Sequence, residues 1–328
     1  MDSSLGKRYS FSTIPIPTGS PRNSDPLQER PKQNTLMSLR RHLLRAMNKR
    51  IVVIIIMAVI LGGTALWATS GPSAPPTYVF ITIDTEPDFP PYMDSYRGIE
   101  EGIPVLLDLF EAYDVTATFL VTGTVAKHYP DMVRLMAEDH EIGSHAFSHR
   151  PLTSLSYEVK LQEIGVATSM LESIVGRDVT SFRAPYHKCD EDVVSILEGL
   201  GYLVESSAAR GIEVPYHPSQ EDWLSAGDMD ILRVPVTRDP VLMYPYDLEG
   251  RSWPDVAKQI LSCEQAPEAI VIGMHPWEFV DLDLDPCYGA YSRLCGEETY
   301  NDLRDLLHYL SSQDITYLSL SEGYDAFA

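Results

Sequence analysis

A chain of 328 residues with 44% hydrophobic residues can bury one large core or two small ones, which excludes a disordered chain. Its formal charge of −22 is unevenly spread: residues 1–50 hold ten Lys and Arg against three Asp and Glu, a net +7, which leaves −29 for the remainder. So acidic a remainder excludes a nucleic-acid surface, and no Gly-rich phosphate loop or internal repeat accompanies it.

Residues 1–35 are rich in Ser, Pro, Asn and Arg and poor in large apolar groups, so the stretch 1–50 reads as a basic, disordered cytoplasmic tail. Residues 51–68 (IVVIIIMAVILGGTALWA) carry no charge. At about 1.5 Å per residue they span roughly 27 Å, close to the hydrocarbon thickness of a bilayer, and predict one transmembrane helix. Arg40, Arg41, Arg45, Lys49 and Arg50 flank it on the N-terminal side, so the positive-inside rule predicts a single-pass protein of the cell membrane with residues 69–328 outside the cytoplasm. The alternative is a signal peptide cleaved after Ala68; the long stretch ahead of the apolar run favours an uncleaved signal anchor. Residues 69–77 (TSGPSAPPT) read as a Pro/Ser linker to a domain over 78–328.

From residue 78 onward, short β-branched and aromatic runs alternate with amphipathic stretches, the signature of an α/β fold with a parallel sheet or barrel. Strands are predicted over 78–83, 116–121, 141–144, 180–183, 202–205, 231–235, 270–274 and 316–320. The predicted helices are 98–113, 130–138, 155–174, 190–200, 253–263 and 297–311. Eight strands with intervening helices suit a barrel, in which reactive groups gather at the carboxyl ends of strands. Four cysteines lie beyond the apolar run, and Cys287 and Cys295 could close a nine-residue loop by a disulfide.

Several strand ends carry residues suited to metal-assisted hydrolysis. His145 and His149, four apart, could share one divalent ion with a carboxylate, zinc being favoured by such a nitrogen and oxygen set. Taken alone the pair could equally be two satisfied histidines, and the sharp exit allowed by Gly143 and by Arg150-Pro151 favours the site. Asp84 and Glu86 follow an apolar run at a spacing that sends both carboxylates to one side of an extended chain, so one could bind metal while the other accepts a proton. Asp88 is the substitute ligand. Arg183 needs a buried carboxylate partner, for which Asp84 is the natural choice, and Pro185 could aim the Tyr186 N–H at an oxyanion. His275 could protonate a leaving amine, with Glu205 polarising it. His128, His140, His187, His217 and His308 read as surface or structural, with a reservation for His187 beside Tyr186.

Taken together, Ser144-His145-Ala146-Phe147-Ser148-His149, Phe182-Arg183-Ala184-Pro185-Tyr186 and Met274-His275-Pro276-Trp277-Glu278-Phe279 resemble three motifs, in order, of the polysaccharide deacetylase family, the NodB homology domain of family 4 carbohydrate esterases. The resemblance covers about 78–320 and implies a distorted (β/α) barrel of seven to eight strands that removes N-acetyl groups from amino sugars with the help of a divalent metal. By position it implies Asp84 as base, His145 and His149 as metal ligands, Arg183 as the group that orients the base and His275 as acid. Two departures stand out. The adjacent aspartate pair of the first motif is replaced by Asp84-Thr85-Glu86, which either moves the metal carboxylate to Glu86 or removes it, and Glu205 stands where an aspartate is expected. The expected partner is an N-acetylated glycan or glycolipid; an allantoinase-like amide hydrolase, some of which need no metal, and a carbohydrate-binding barrel without turnover are the alternatives.

Overall fold

The computed structural model describes residues 77–327 apart from 209–212, 239–243, 246–249, 264–266 and 286–294. The predicted tail, the apolar run at 51–68, nearly all of the linker and Cys287 lie outside the described residues. Among the described residues no helix is long and apolar enough to cross a membrane.

The sheet is built around β1 (Thr77–Thr85), where every residue but Tyr78 is buried. Burial on both faces requires a continuous apolar run with helices outside, and Val79-Phe80-Ile81-Thr82-Ile83 provides it. The one polar side chain in that run is satisfied, since Thr82 Oγ1 donates to the Ile272 carbonyl at 2.7 Å. Beside β1 lie β2 (Ala117–Val121), β3 (Glu141–Ser144), β4 (Ser181–Phe182), β5 (Val204–Glu205) and β6 (Leu232–Arg233) in that order, with β7 (Ala269–Met274) on the other edge and β8 (Ile315–Tyr317) against the start of β1. Every strand pair is parallel. The chain just after β6 closes back onto β7: Thr237 N–H donates to the Val271 carbonyl at 3.1 Å, and Val271 N–H donates to Thr237 Oγ1 at 2.8 Å. The sheet is therefore a curled, parallel α/β barrel-like array.

Between the strands run α1 (Ile103–Tyr113), α2 (Gly123–His128), α3 (Pro130–Met136), α4 (Tyr157–Val175), α5 (Glu191–Gly199), α6 (Trp253–Leu261) and α7 (Glu297–Leu310), followed by α8 (Leu320–Phe327). The apolar faces of α1 to α7 meet Val79, Ile81 and Ile83 of β1 in the outer core, whereas Phe80 packs inside with Leu120, Val204, Leu232, Val271 and Leu320 of α8. This two-residue alternation decides which rim side chains can meet inside the barrel.

Two sequence expectations change in the structure. The strand expected over 316–320 stops at Tyr317, because Ser319 and Glu322 cap α8: Ser319 N–H donates to Glu322 Oε2 at 2.8 Å, and Glu322 N–H donates to Ser319 Oγ at 3.4 Å. The helix expected over 98–113 opens with a wider π turn over Gly98–Gly102. Gly98 stands so close to the chain after β7 that an added Cβ would lie 2.5 Å from the Trp277 nitrogen. Because the clash is with backbone, Gly98→Ala should cost about 1–3 kcal/mol, the usual range for overpacking, and should appear as a lower melting temperature. An unchanged melt would show that the two segments separate freely.

Candidate active site

The ladder registers align one row across the carboxyl rim: Thr85 opposite Val121, Val121 opposite Ser144, Ser144 opposite Phe182, and Phe182 opposite Glu205. The next residues on three of these strands are Glu86, His145 and Arg183, and β7 leads into His275. Parallel pairing thus delivers groups far apart in sequence to one end of the barrel. They surround a cleft of ≈ 340 Å³ whose lining includes Asp84, Glu86, His145, His149, Tyr186 and His275.

Glu86, His145 and His149 present three ligand atoms within 4.8 Å of one another. Glu86 Oε2 is 3.6 Å from His145 Nε2 and in close contact with His149 Nε2, while Glu86 Oε1 is 3.6 Å from His275 Nε2. His145 Nδ1 lies 2.8 Å from the Arg183 carbonyl oxygen, which can only accept, so Nδ1 donates and Nε2 keeps its lone pair on the Glu86 side. Two imidazole nitrogens and a carboxylate oxygen, all buried or nearly so, fit a divalent ion. Burial would raise the Glu86 pKa, but His149 and His275 beside it hold the carboxyl well below the usual range.

Asp84 stands deeper. Its Oδ1 accepts from Arg183 Nη1 at 2.8 Å, and its Oδ2 accepts from the Tyr244 hydroxyl at 2.6 Å. Burial would raise its pKa, and the Arg183 guanidinium outweighs that and keeps it ionised. Arg183 is fully buried; its Nε donates to the Ser206 carbonyl at 2.6 Å and its Nη2 to Ser206 Oγ at 3.0 Å. His275 stacks on Trp277 at 4.9 Å between ring centres. Burial would lower its pKa, but Glu278 and Glu86 push it up to about 9, so the ring is charged near neutrality. Tyr186 is half-exposed at the cleft with its ring 4.5 Å from that of His149.

The structure does not bring Glu205 to His275. Glu205 shares its ladder row with Phe182, whose ring joins the outer core, whereas its neighbour Val204 packs inside. Strand parity therefore turns it away from the cleft, and its Oε2 accepts from Arg233 Nε at 2.7 Å, the residue opposite it on β6. The carboxylate on the Nδ1 side of His275 is Glu278: its Oε2 accepts from the His275 N–H at 2.6 Å and lies 3.4 Å from His275 Nδ1. The sequence carried a signal for this in the three-residue spacing of His275 and Glu278, which forms a capping box at the turn Pro276–Phe279. Glu278→Gln should lower turnover about 10–100-fold, the range for a group that orients a reactive side chain, with metal content unchanged. Glu205→Gln should instead act on thermal stability, and equal turnover losses in both would return the role to Glu205.

Asp88, the substitute ligand, is committed elsewhere. It accepts from Ser95 Oγ, Arg97 N–H and Gly98 N–H at 2.7, 2.7 and 2.8 Å and so shapes the loop over the cleft. His187, set among the surface or structural histidines, lines the cleft; its Nδ1 accepts from Ala208 N–H at 3.1 Å, and burial together with Arg183 holds its pKa down to about 3. Among the described residues, six other than glycine have positive φ, and five of them, Phe89, Ala146, His149, Tyr186 and His187, line the cleft or adjoin its residues. Such strain persists only where surrounding contacts impose it, which marks this rim as the functional end.

Residues 71–204 match the family model described as polysaccharide deacetylase. That segment belongs to the polysaccharide deacetylase family. It holds Asp84, Glu86, His145, His149, Arg183 and Tyr186, and His275 is supplied by the remainder of the barrel. A chitin deacetylase of Colletotrichum lindemuthianum is 36% identical over 107 residues, 31% of this chain and 43% of that protein. The peptidoglycan-N-acetylmuramic acid deacetylase PdaC of Bacillus subtilis is 34% identical over 91 residues, 27% of this chain and 20% of that protein. The alignments span less than half the length of these curated relatives. A crystal structure from Mycobacterium smegmatis, described as a polysaccharide deacetylase, superposes with a TM-score of 0.58 at 19% identity over 79% of this chain and 92% of that one, a likeness of fold.

Proposed function

We propose that this chain is a metal-dependent hydrolase that removes N-acetyl groups from amino sugars of an extracytoplasmic glycan or glycolipid, held at the cell membrane by residues 51–68. The observation that carries the proposal is the Glu86, His145 and His149 donor set with Asp84 and His275 lining the same cleft. Relatives named as chitin and peptidoglycan deacetylases support the substrate class.

A divalent ion held by those three residues, zinc being the best match to two nitrogens and one oxygen, would supply Lewis acidity toward an amide carbonyl and a water. Asp84, kept ionised by Arg183, accepts the proton that the attacking water loses. Tyr186 N–H would donate to the carbonyl oxygen as charge gathers there. His275, charged and braced by Glu278, gives its proton to the departing sugar nitrogen. One amide bond breaks, and acetate and a free amine are the products.

The test is acetate release from N-acetylated chito-oligosaccharides and peptidoglycan fragments by residues 69–328, before and after chelation, with metal content measured on the same samples. Turnover that falls at least tenfold on chelation and returns with added zinc is the expected result. Glycan binding without acetate from any divalent metal would make the barrel a binding module, and amide cleavage that ignores chelation would favour the allantoinase-like alternative.

A further inference from the structure

Arg183 does not hold Asp84 as a two-pronged fork. Only Nη1 reaches the carboxylate, because Nε and Nη2 are both engaged by Ser206. A single contact fixes the distance of a carboxylate and leaves rotation of its plane open, unlike the bidentate pairing that guanidinium groups usually give carboxylates. The second point of support comes from a residue 160 positions away, whose hydroxyl donates to Asp84 Oδ2 at 2.6 Å and accepts from Arg183 Nη1 at 3.1 Å.

We propose that Tyr244 is a positioning residue for Asp84, closing a triangle with Arg183 that locks the plane of the carboxylate while its ring walls the inner side of the reactive centre. This rests on the reading of Asp84 as the base. The ring is itself tightly seated: Tyr244 is fully buried, 5.2 Å from the ring of His275 and 5.4 Å from that of His187. On β7, Gly273 leaves the space that the phenol fills, since an added Cβ there would lie 2.2 Å from Tyr244 Cζ and 2.7 Å from its hydroxyl. Burial raises the phenol well above its ordinary pKa in spite of Arg183, so it remains a donor. A tyrosine used only for packing would need neither the 2.6 Å bond to the carboxylate nor a glycine cut away at its hydroxyl end.

Tyr244→Phe retains the ring and removes the hydroxyl. It should lower kcat about 10–100-fold, the usual effect of losing such a supporting bond, with KM and metal content unchanged and the melting temperature lowered only as far as the loss of one buried hydrogen bond requires. A crystal structure of the variant should show the Asp84 carboxylate turned about χ2 while Arg183 stays in place. Gly273→Ala reaches the same bond from the other side and should reproduce the fall in kcat by displacing the phenol. Unchanged kcat with Asp84 unmoved overturns the proposal. So does a loss shared by KM, metal content and melting temperature, which would mark a purely structural tyrosine. Should the unmodified protein release no acetate, the functional reading fails, and the orientation of Asp84 in Tyr244→Phe alone decides the positioning role.

Discussion

Asp84→Asn should keep its metal and lose roughly 10²–10⁴-fold in turnover, the range for removal of a general base, whereas Glu86→Ala should lose metal and turnover together. Both carboxylates are buried and only two residues apart, so burial does not distinguish them. Their partners do. Asp84 faces a guanidinium and a phenol, each of which donates to it, and neither competes for a metal. Glu86 faces imidazole nitrogens, and the tautomer of His145 leaves that ring's Nε2 as an acceptor. A carboxylate set against lone pairs is stabilised only by a proton or a cation between them. The asparagine accepts the Arg183 bond through its amide oxygen, which preserves the shape of the inner site but leaves the guanidinium charge uncompensated; some loss of stability should accompany the loss of rate. Metal analysis beside acetate release separates the two variants. A fully metallated Glu86→Ala would remove Glu86 from the ligand set.

The carboxyl rim was legible because each reactive group directly follows or closes an apolar run, and parallel strands place such positions together. Glu141–Ser144 falls where the sequence predicts it, and β1, β2 and β7 lie within two residues of their predicted bounds. Glu205 failed the same logic by a single residue. Its strand was correctly placed, but whether 204 or 205 faces the interior depends on the register with Phe182, which is a property of the neighbour rather than of the strand. Tyr244 was illegible for a different reason. It follows no periodic run, and its partners Asp84 and Gly273 lie on two other strands; the only trace of it in sequence is an unexplained glycine inside the strand Ala269–Met274. Glu278 is visible in its spacing to His275, three residues on, which is the spacing of a capping box. The serine and glutamate that start α8 likewise carried a readable capping signal.

Arg183→Ala should be the most damaging substitution to stability and should also depress turnover with the metal retained. The guanidinium makes four hydrogen bonds at 2.6 to 3.1 Å inside a site with no solvent exposure, to Asp84, Tyr244 and twice to Ser206. Removing it leaves the Asp84 carboxylate buried beside Glu86 without its main counter-charge, and breaking such a pair on one side costs about 3–5 kcal/mol. At about 2–4 °C per kcal/mol for a domain of this size, the melting temperature should fall by on the order of 10 °C. The pair of half-exposed Arg150 with buried Glu163 is the contrast: Arg150→Ala should cost much less, because solvent reaches the guanidinium and Glu163 keeps its bonds from the Ser148 N–H and hydroxyl. Arg183→Lys distinguishes charge from geometry. An ammonium can restore a counter-charge for Asp84, but it has no planar fork with which to reach Ser206 and Asp84 at once. The lysine variant should therefore recover much of the stability and little of the turnover. Recovery of both would mean that Asp84 needs only a nearby positive charge, and recovery of neither would place the role of Arg183 in the Ser206 contacts that tie β4 to the chain after β5.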